Sequence, residues 1–365
     1  MSGPKLLNQP FKDIAKITLN PIYMPFHIGT HMVGRELEMA LTRLQWLYDK
    51  PGIENGKLLS ILNGVIGDHL AQLNSPLEIK MKFLMRIGSK TDFCDIVDIE
   101  NKNIDRVVVF VHGSSLDESS WVRNGFDYGK ALESELGYKP IYLRYNSGLH
   151  ISQNGRELSR KIDCLAETFP NLNEIVFVGH SMGGLLAHSA ALIAESQNCK
   201  WRKMLSGIIT LGTPHHGAKL ERAGNVVEVL LGASRFSAPF KVLGRIRSAG
   251  VTDLRYGAVL DSHWQDLEGF TFFKDPRLSR DLPENVQCFA IAGTTSSLPS
   301  SDSPGDGLVT IGSALGRHSD SKLDLGFGEF NCHIVQDTSH MDLLSNGEVL
   351  SKITEWIRSI GSVCC

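Results

Sequence analysis

The sequence lacks any apolar run of the roughly 20 residues that a membrane-spanning helix needs. Its first sixteen residues also lack the apolar core of a secretory signal. The formal net charge is only −3 over 365 residues, so nothing in the charge favours nucleic acid or an anionic membrane as a partner. We therefore expect an intracellular, cytoplasmic protein with no transmembrane segment.

The sequence also lacks C-x-x-C pairs and the common motifs that bind nucleotide cofactors. The seven cysteines include no C-x-x-C pair, and an odd number fits a reducing compartment better than a disulfide framework. The terminal pair Cys364-Cys365 is of the kind that accepts prenyl groups, but it does not match the C-a-a-X pattern. No G-x-G-x-x-G follows a strand and opens a helix, and no G-x-x-x-x-G-K-[ST] is present. We expect neither a cofactor nor a bound metal.

What the chain does have is enough length for one large core with an appendage, and an ordinary hydrophobic content of 42%. Residues 1–103 are predicted to be a separate N-terminal helical region. Apolar residues recur at helical spacing over 32–48 and again over 57–73. Gly64 and Gly67 interrupt the second helix and would allow close helix packing.

From residue 104 onward, strands and helices alternate. Short β-branched runs predict buried strands, and amphipathic stretches between them predict helices. The strands are predicted near 106–111, 141–145, 174–178, 207–212, 286–293 and 331–335, and the helices near 128–136, 154–169 and 346–360. This β-α-β rhythm predicts an α/β domain over 104–365, with a mostly parallel sheet covered by helices on both faces.

A long interruption separates two of these strands, at about 218–285. It is too long for an ordinary connection, and it contains apolar residues at helical spacing over 223–231 and 240–246. We interpret it as a helical cap or lid over the active site. The alternative is a structural insertion that lies away from the site.

The most informative motif is the pentapeptide at 179–183, G-H-S-M-G, directly after the apolar run 175–178. In a G-x-S-x-G elbow, a strand turns sharply into a helix and presents the serine hydroxyl at the edge of the sheet. The residues that follow, 184–194, are good helix formers with a nearly continuous apolar face. Ser181 is therefore the candidate nucleophile.

A serine hydroxyl needs a base that is itself oriented by a carboxylate, and after such an elbow the acid precedes the histidine in the chain. Asp306 is the candidate acid because flanking glycines would let its loop curl toward the site; Asp302 is the alternative. His340 is the candidate base because it lies between the last strand and the last helix. His318 and His333 are alternatives whose settings suit a structural role better.

The oxyanion of an acyl-transfer intermediate needs two backbone N–H donors. One is expected from the residue after the nucleophile, Met182, and the other from the loop that follows the strand at 106–111. That loop reads His112-Gly113-Ser114-Ser115, and we assign the donor to Ser114. His112 is expected to orient the loop rather than to act as a second base.

Five sequence blocks now occur in a familiar order: the F-V-H-G block at 110–113, the elbow at 179–184, the L-G-T-P-H-H-G block at 211–217, the D-G-L-V block at 306–309 and the H-M-D block at 340–342. With them, residues 105–360 resemble serine hydrolases of the α/β-hydrolase superfamily, in the branch of bacterial triacylglycerol lipases and PGAP1-type GPI-deacylase-like hydrolases. The resemblance implies the same triad, Ser181, Asp306 and His340.

The chain departs from the related secreted lipases in two respects. Its first sixteen residues predict no signal peptide, and the calcium found near the catalytic histidine in those enzymes has only one matching ligand here, Asp342. One carboxylate is a weak site for a cation that takes six or more oxygens.

The expected function is hydrolysis of a carboxylic ester, lipase- or esterase-like, on a small-molecule or lipid substrate with a hydrophobic acyl group. The same triad would serve a thioesterase or an acyltransferase. A non-catalytic binding protein on the same fold is the alternative from another class, and it predicts a damaged triad or oxyanion loop, which the sequence does not show.

Overall fold

The computed structural model describes residues 55–87, 92–98, 103–218, 248–263, 281–297 and 305–362. Several expectations fall outside these ranges and stay predictions. They are the helix over 32–48, the two helices of the cap, the alternative acid Asp302 and the terminal cysteine pair.

The elements within the described residues follow the predicted alternation. The strands are β1 (Lys82–Ile87), β2 (Asp92–Asp95), β3 (Arg106–Val111), β4 (Val122–Arg123), β5 (Phe126–Asp127), β6 (Lys139–Arg144), β7 (Glu174–His180), β8 (Leu205–Leu211), β9 (Gln287–Gly293) and β10 (Cys332–Val335). The helices are α1 (Asn55–Gln72), α2 (Tyr128–Leu136), α3 (Ile151–Thr168), α4 (Met182–Ser196), α5 (Ala249–Asp253), α6 (Ile311–Ala314) and α7 (Gly347–Ser362).

Eight of the strands form one sheet in the order β10-β9-β8-β7-β3-β6-β1-β2, while β4 and β5 form a small hairpin. From β10 to β6 every neighbouring pair is parallel. The strand that ends in the elbow, β7, lies at the centre between β3 and β8. The sequence-based prediction of a mostly parallel α/β sheet is confirmed.

Two apolar layers cover the sheet, because the side chains of each strand alternate between its faces. Val107 and Val109 of β3 point to one face, where residues of α3 and α4 join them. Val108 and Phe110 point to the other face, together with residues of α2 and α7. All of β3 from Val107 to Val111 is inaccessible to solvent, which explains its uniformly apolar sequence.

The N-terminal part differs from the expectation of a helical region. Its second predicted helix is present as α1, but residues 82–87 form β1 and residues 92–95 form β2. β1 pairs antiparallel with β6 and with β2, so these strands extend the main sheet. Phe83 of β1 is buried in the same core as Val109. The structure therefore corrects the helical interpretation for residues 82–87 and 92–95, which belong to the sheet of the α/β domain.

Candidate active site

Ser181 lies at the junction of β7 and α4, with φ 54° and ψ −124°. A positive φ is costly for a residue with a side chain and persists only where the surroundings fix it. Here both ends of the residue are held by hydrogen bonds. The Ser181 N–H donates to the carbonyl oxygen of Leu211 at 2.8 Å, and the Ser181 carbonyl accepts the hydroxyl of Thr213 at 3.0 Å.

The loop after β3 passes directly beside this elbow. A Cβ added to Gly183 would lie 2.6 Å from the carbonyl oxygen of His112, and one added to Gly113 would lie 3.0 Å from the Cβ of Ser181. Only glycine fits such distances. The close approach brings the 112–115 loop alongside the candidate nucleophile.

Asp306 and His340 are brought together as a hydrogen-bonded pair. Oδ2 of Asp306 lies 2.7 Å from Nδ1 of His340, and both side chains are almost completely buried. The His340 main-chain N–H also donates to the carbonyl oxygen of Asp306, at 2.9 Å. Two residues that lie 34 apart in the chain are thus joined through side chain and backbone.

The turn after Asp306 orients its carboxylate. Oδ1 accepts the main-chain N–H groups of Leu308 at 3.0 Å and Val309 at 2.8 Å. The other carboxylate oxygen is thereby left for His340. A carboxylate that accepts the Nδ1 proton fixes the imidazole tautomer, so that Nε2 carries a lone pair.

Nε2 of His340 is the free end of this pair. It is buried, and within the stretches of chain that the structure describes it has no hydrogen-bond partner. A buried nitrogen without a partner is energetically costly. Such an atom at a candidate site is available to accept a proton from a nucleophile.

His180, the residue before Ser181, connects the elbow to His340. Its ring centroid lies 4.7 Å from that of His340, and its Nε2 lies 2.9 Å from the main-chain carbonyl oxygen of His340. Burial lowers the pKa of His180 well below 6.5, and the nearby His340 lowers it further. His180 is therefore neutral at neutral pH and donates through Nε2. The sequence analysis gave it no role.

Gly212 is a second residue that the sequence analysis missed. It has φ 56°, and an added Cβ would lie 2.9 Å from Oδ2 of Asp306 and 3.1 Å from Nδ1 of His340. The backbone at the end of β8 thus packs directly against the Asp306–His340 pair. Its only signal in the sequence is its place in the L-G-T-P-H-H-G block, which does not reveal the contact.

Of the two predicted oxyanion donors, Met182 directly follows Ser181, and Ser114 lies in the loop whose Gly113 approaches Ser181. Met182 is the first residue of α4, and the first N–H groups of a helix have no partner inside it. Ser114 is buried in the 112–115 loop. His112 stabilises that loop, because its Nδ1 lies 2.8 Å from the Gly113 carbonyl oxygen and its ring stacks on Tyr145. Burial lowers the pKa of His112, which fits a neutral, structural residue.

The alternative histidines lie elsewhere. His333 is on β10 and pairs with Glu348 at 2.7 Å, and His318 is hydrogen-bonded within the 318–324 loop. Asp342, the residue that matches a calcium ligand of related lipases, accepts the hydroxyl of Ser339. Across the described parts of the chain, no group of three or more His, Cys, Asp or Glu side chains is placed to hold a metal ion.

None of the helices in the described residues combines the length and the apolar character required to cross a membrane. The five cysteines at described positions, Cys94, Cys164, Cys199, Cys288 and Cys332, all have free thiols.

Comparison with known proteins gives one family match. The sequence model of the family described as "PGAP1-like alpha/beta domain" matches residues 104–279. No curated protein sequence matches the chain significantly.

Several solved structures are similar to this one at low identity. Mature lipase BlEst2 of Bacillus licheniformis is 19% identical; the match covers 71% of this chain and 94% of that one, with a TM-score of 0.45. A thermophilic esterase of Thermogutta terrifontis is 18% identical over 78% of this chain and 95% of that one, with a TM-score of 0.41. Naproxen esterase of Bacillus subtilis is 14% identical over 84% and 100%, with a TM-score of 0.43.

The family match begins just before β3 and includes the elbow at Ser181. The parallel strand order, with helices on both faces and the serine turn after the central strand β7, is the architecture of the α/β-hydrolase fold. Residues 104–279 are therefore similar to PGAP1-like alpha/beta domains, and the chain has the α/β-hydrolase fold.

Proposed function

We propose that this protein is a serine hydrolase that cleaves carboxylic esters through an acyl-enzyme intermediate. Ser181 is the nucleophile, His340 the general base and acid, and Asp306 the carboxylate that orients His340. The N–H groups of Ser114 and Met182 form the oxyanion hole. The observation that carries the proposal is the buried Asp306–His340 pair at 2.7 Å, in which Nε2 of His340 has no hydrogen-bond partner among the residues that the structure describes.

The chemistry follows from these atoms. Nε2 of His340 takes the proton of the Ser181 hydroxyl as Oγ attacks the ester carbonyl carbon. The oxygen of the tetrahedral intermediate accepts the two N–H groups, and this interaction is stronger than that of the neutral carbonyl. His340 then gives its proton to the leaving alkoxide, and the C–O bond breaks. Water repeats the sequence on the acyl-enzyme, which releases the acid and restores the Ser181 hydroxyl.

A hydrophobic acyl group is the proposed substrate feature. Its support is the sequence of the segment at about 218–285, the proposed cap, which is rich in large apolar residues. A cap of this kind would shield an acyl chain and exclude water from the acyl-enzyme. Within the domain at 104–365, this segment is the part that we expect to determine acyl-chain preference.

The test is hydrolysis of a series of p-nitrophenyl esters with acyl chains from short to long. Removal of such a nucleophile lowers kcat by about 10⁶-fold in a well-studied hydrolase, so Ser181→Ala should abolish activity. The matched control is Ser196→Ala at the far end of α4, where the hydroxyl bonds only within the helix. A preference for long chains would favour a lipase-like enzyme. A wild-type protein that is inert across the series would contradict the proposal.

A further inference from the structure

Helix α1, the first described element, is buried around its whole circumference in its central part. Residues 60–67 are all inaccessible or nearly so, including polar Ser60 and Asn63. A helix that is buried on every side is a core element rather than a surface helix. Gly64 and Gly67 lie in this part, on either side of a kink at Ile66 (φ −135°, ψ 20°), and mark the points where other backbone approaches the helix.

Gly64 contacts the oxyanion loop. A Cβ added to Gly64 would lie 2.8 Å from the Cβ of Ser115 and 2.9 Å from its Cα, so the two backbones touch. Ser115 has a φ of 60°, which costs a residue with a side chain roughly 1–2 kcal/mol. It also follows Ser114 directly. Any displacement of Ser115 is therefore transmitted through Ser114 to the preceding peptide, which carries the proposed oxyanion donor.

Helix α1 also contacts the neighbours of Ser147, the residue to which Ser115 is hydrogen-bonded. The Ser115 N–H donates to the hydroxyl of Ser147 at 2.9 Å. On either side of Ser147, Asn146 donates its amide to the carbonyl of Gly67 at 2.9 Å, and a Cβ on Gly148 would lie 2.7 Å from the Gly67 nitrogen. Ser115 is thus fixed by α1 directly and through the 146–148 loop.

On its other side α1 is anchored to α5. Ser248, the N-cap of α5, donates its hydroxyl to the carbonyl of Gly64 at 2.7 Å. The main-chain N–H of Ala249 donates to Asp68 at 2.9 Å, and that of Gly250 donates to the carbonyl of Gly148 at 3.1 Å. Helix α1 therefore has little room to shift away from Ser115.

From these contacts we infer that α1 is a positioning element of the active site: the backbone of Gly64 holds Ser115 and thereby fixes the Ser114 N–H toward the oxyanion. The inference rests on the proposed function and deepens it. It gives the N-terminal region a role in stabilising the transition state, because α1 would hold the loop that carries one of the two oxyanion donors. Gly64 touches no reacting atom, so it is a positioning residue rather than a catalytic one.

The experiment compares Gly64→Ala with Gly56→Ala in the full chain. Gly56 lies on the same helix, and no atom lies within 4 Å of a Cβ added there. A misplacement of about 1 Å can cost on the order of 10²-fold in rate. We expect Gly64→Ala to lower kcat ten- to hundredfold with KM unchanged and with the same pH profile, while Gly56→Ala retains wild-type kinetics.

Two further measurements separate positioning from general loss of structure. Hydrogen exchange of the peptide that contains residues 112–118 should be faster in Gly64→Ala than in Gly56→Ala. Adding Ser115→Gly to Gly64→Ala removes the Ser115 side chain that the new methyl would strike but leaves the contact with the Ser115 Cα, so it should recover part of the lost kcat. If Gly64→Ala does not fold, Ser147→Ala, which removes the acceptor of the Ser115 N–H, should lower kcat with KM unchanged.

The inference is overturned if folded Gly64→Ala has wild-type kcat, if only KM rises, or if Ser147→Ala leaves kcat unchanged. Absence of ester hydrolysis in the wild-type protein would count against the proposed function instead. The exchange comparison does not depend on turnover, so the coupling of Gly64 to the 112–118 loop is measured in either case.

Discussion

Thr213 donates its hydroxyl to the main-chain carbonyl oxygen of Ser181 at 3.0 Å, from the loop that follows the neighbouring strand β8. This bond fixes the strained elbow from its carboxyl side, and both residues are buried. Thr213→Val keeps the shape and leaves the carbonyl without its donor, a loss that costs about 1–3 kcal/mol for a buried group. We expect a lower denaturation midpoint and a reduced kcat. Thr213→Ser, which keeps the hydroxyl, is the matched control and should retain most of both.

Gly212→Ala tests the support beneath the acid–base pair. The added methyl would lie 2.9 Å from Oδ2 of Asp306, so we expect the pair to separate and kcat to fall by tenfold or more. Gly326→Ala is the control, because Gly326 has a similar φ of 63° and no atom within 4 Å of an added Cβ. Both variants should lose about 1–2 kcal/mol of stability from the positive φ. Equal kcat values in the two variants would show that Gly212 does not support the pair.

His180 predicts how stability depends on pH. Its pKa in the folded protein lies well below 6.5, chiefly because it is buried. Below pH 6.5 the unfolded chain binds a proton at this site and the folded protein does not, so the free energy of unfolding decreases as pH falls. The slope from one such group reaches at most about 1.4 kcal/mol per pH unit.

His180→Gln keeps a side-chain donor for the His340 carbonyl and removes the titrating group. We expect its melting temperature to fall less steeply than that of the wild-type protein between pH 6.5 and 5. Parallel curves for His180→Gln and the wild-type protein would contradict the assignment of a neutral, buried His180.

Phe83→Ala tests whether the N-terminal strands belong to the α/β domain. Phe83 of β1 is 3% exposed and is part of the core that includes β3, α3 and α4. Its truncation should cost about 3–5 kcal/mol and lower the stability of the whole domain in a single transition. Val97→Ala, at a position that is 69% exposed, should have little effect. A separate early transition, with the main transition unchanged, would mean that residues 82–95 form an independent unit.

The sequence was sufficient for those parts of the fold that local patterns encode. The buried strands β3, β7, β8 and β9 have largely apolar sequences, and all four were predicted within two residues of their observed bounds. Asp306 and His340 were chosen from motif order, and the structure places them 2.7 Å apart. As a set, the catalytic triad and the oxyanion hole remain a prediction that the experiments above address.

What the sequence did not reveal depends on contacts between distant segments. β1 and β2 were missed because these strands are defined by the pairing of β1 with β6 and of β2 with β1, not by a strong local pattern. The role of Gly212 depends on a positive φ and on the nearby Asp306. Likewise, the sequence shows Gly64 only as an unfavourable residue inside a predicted helix, and its contact with Ser115 is visible only in the structure.

The most direct test of the central claim is labelling with a fluorophosphonate, which reacts with a serine only where a base and an oxyanion hole activate it. The labelled protein is digested, and the modified residue is located by mass spectrometry. The account predicts one adduct, on Ser181, that is absent in Ser181→Ala and forms far more slowly in Asp306→Asn. An adduct that persists in Ser181→Ala, or a wild-type protein that remains unlabelled, would contradict it.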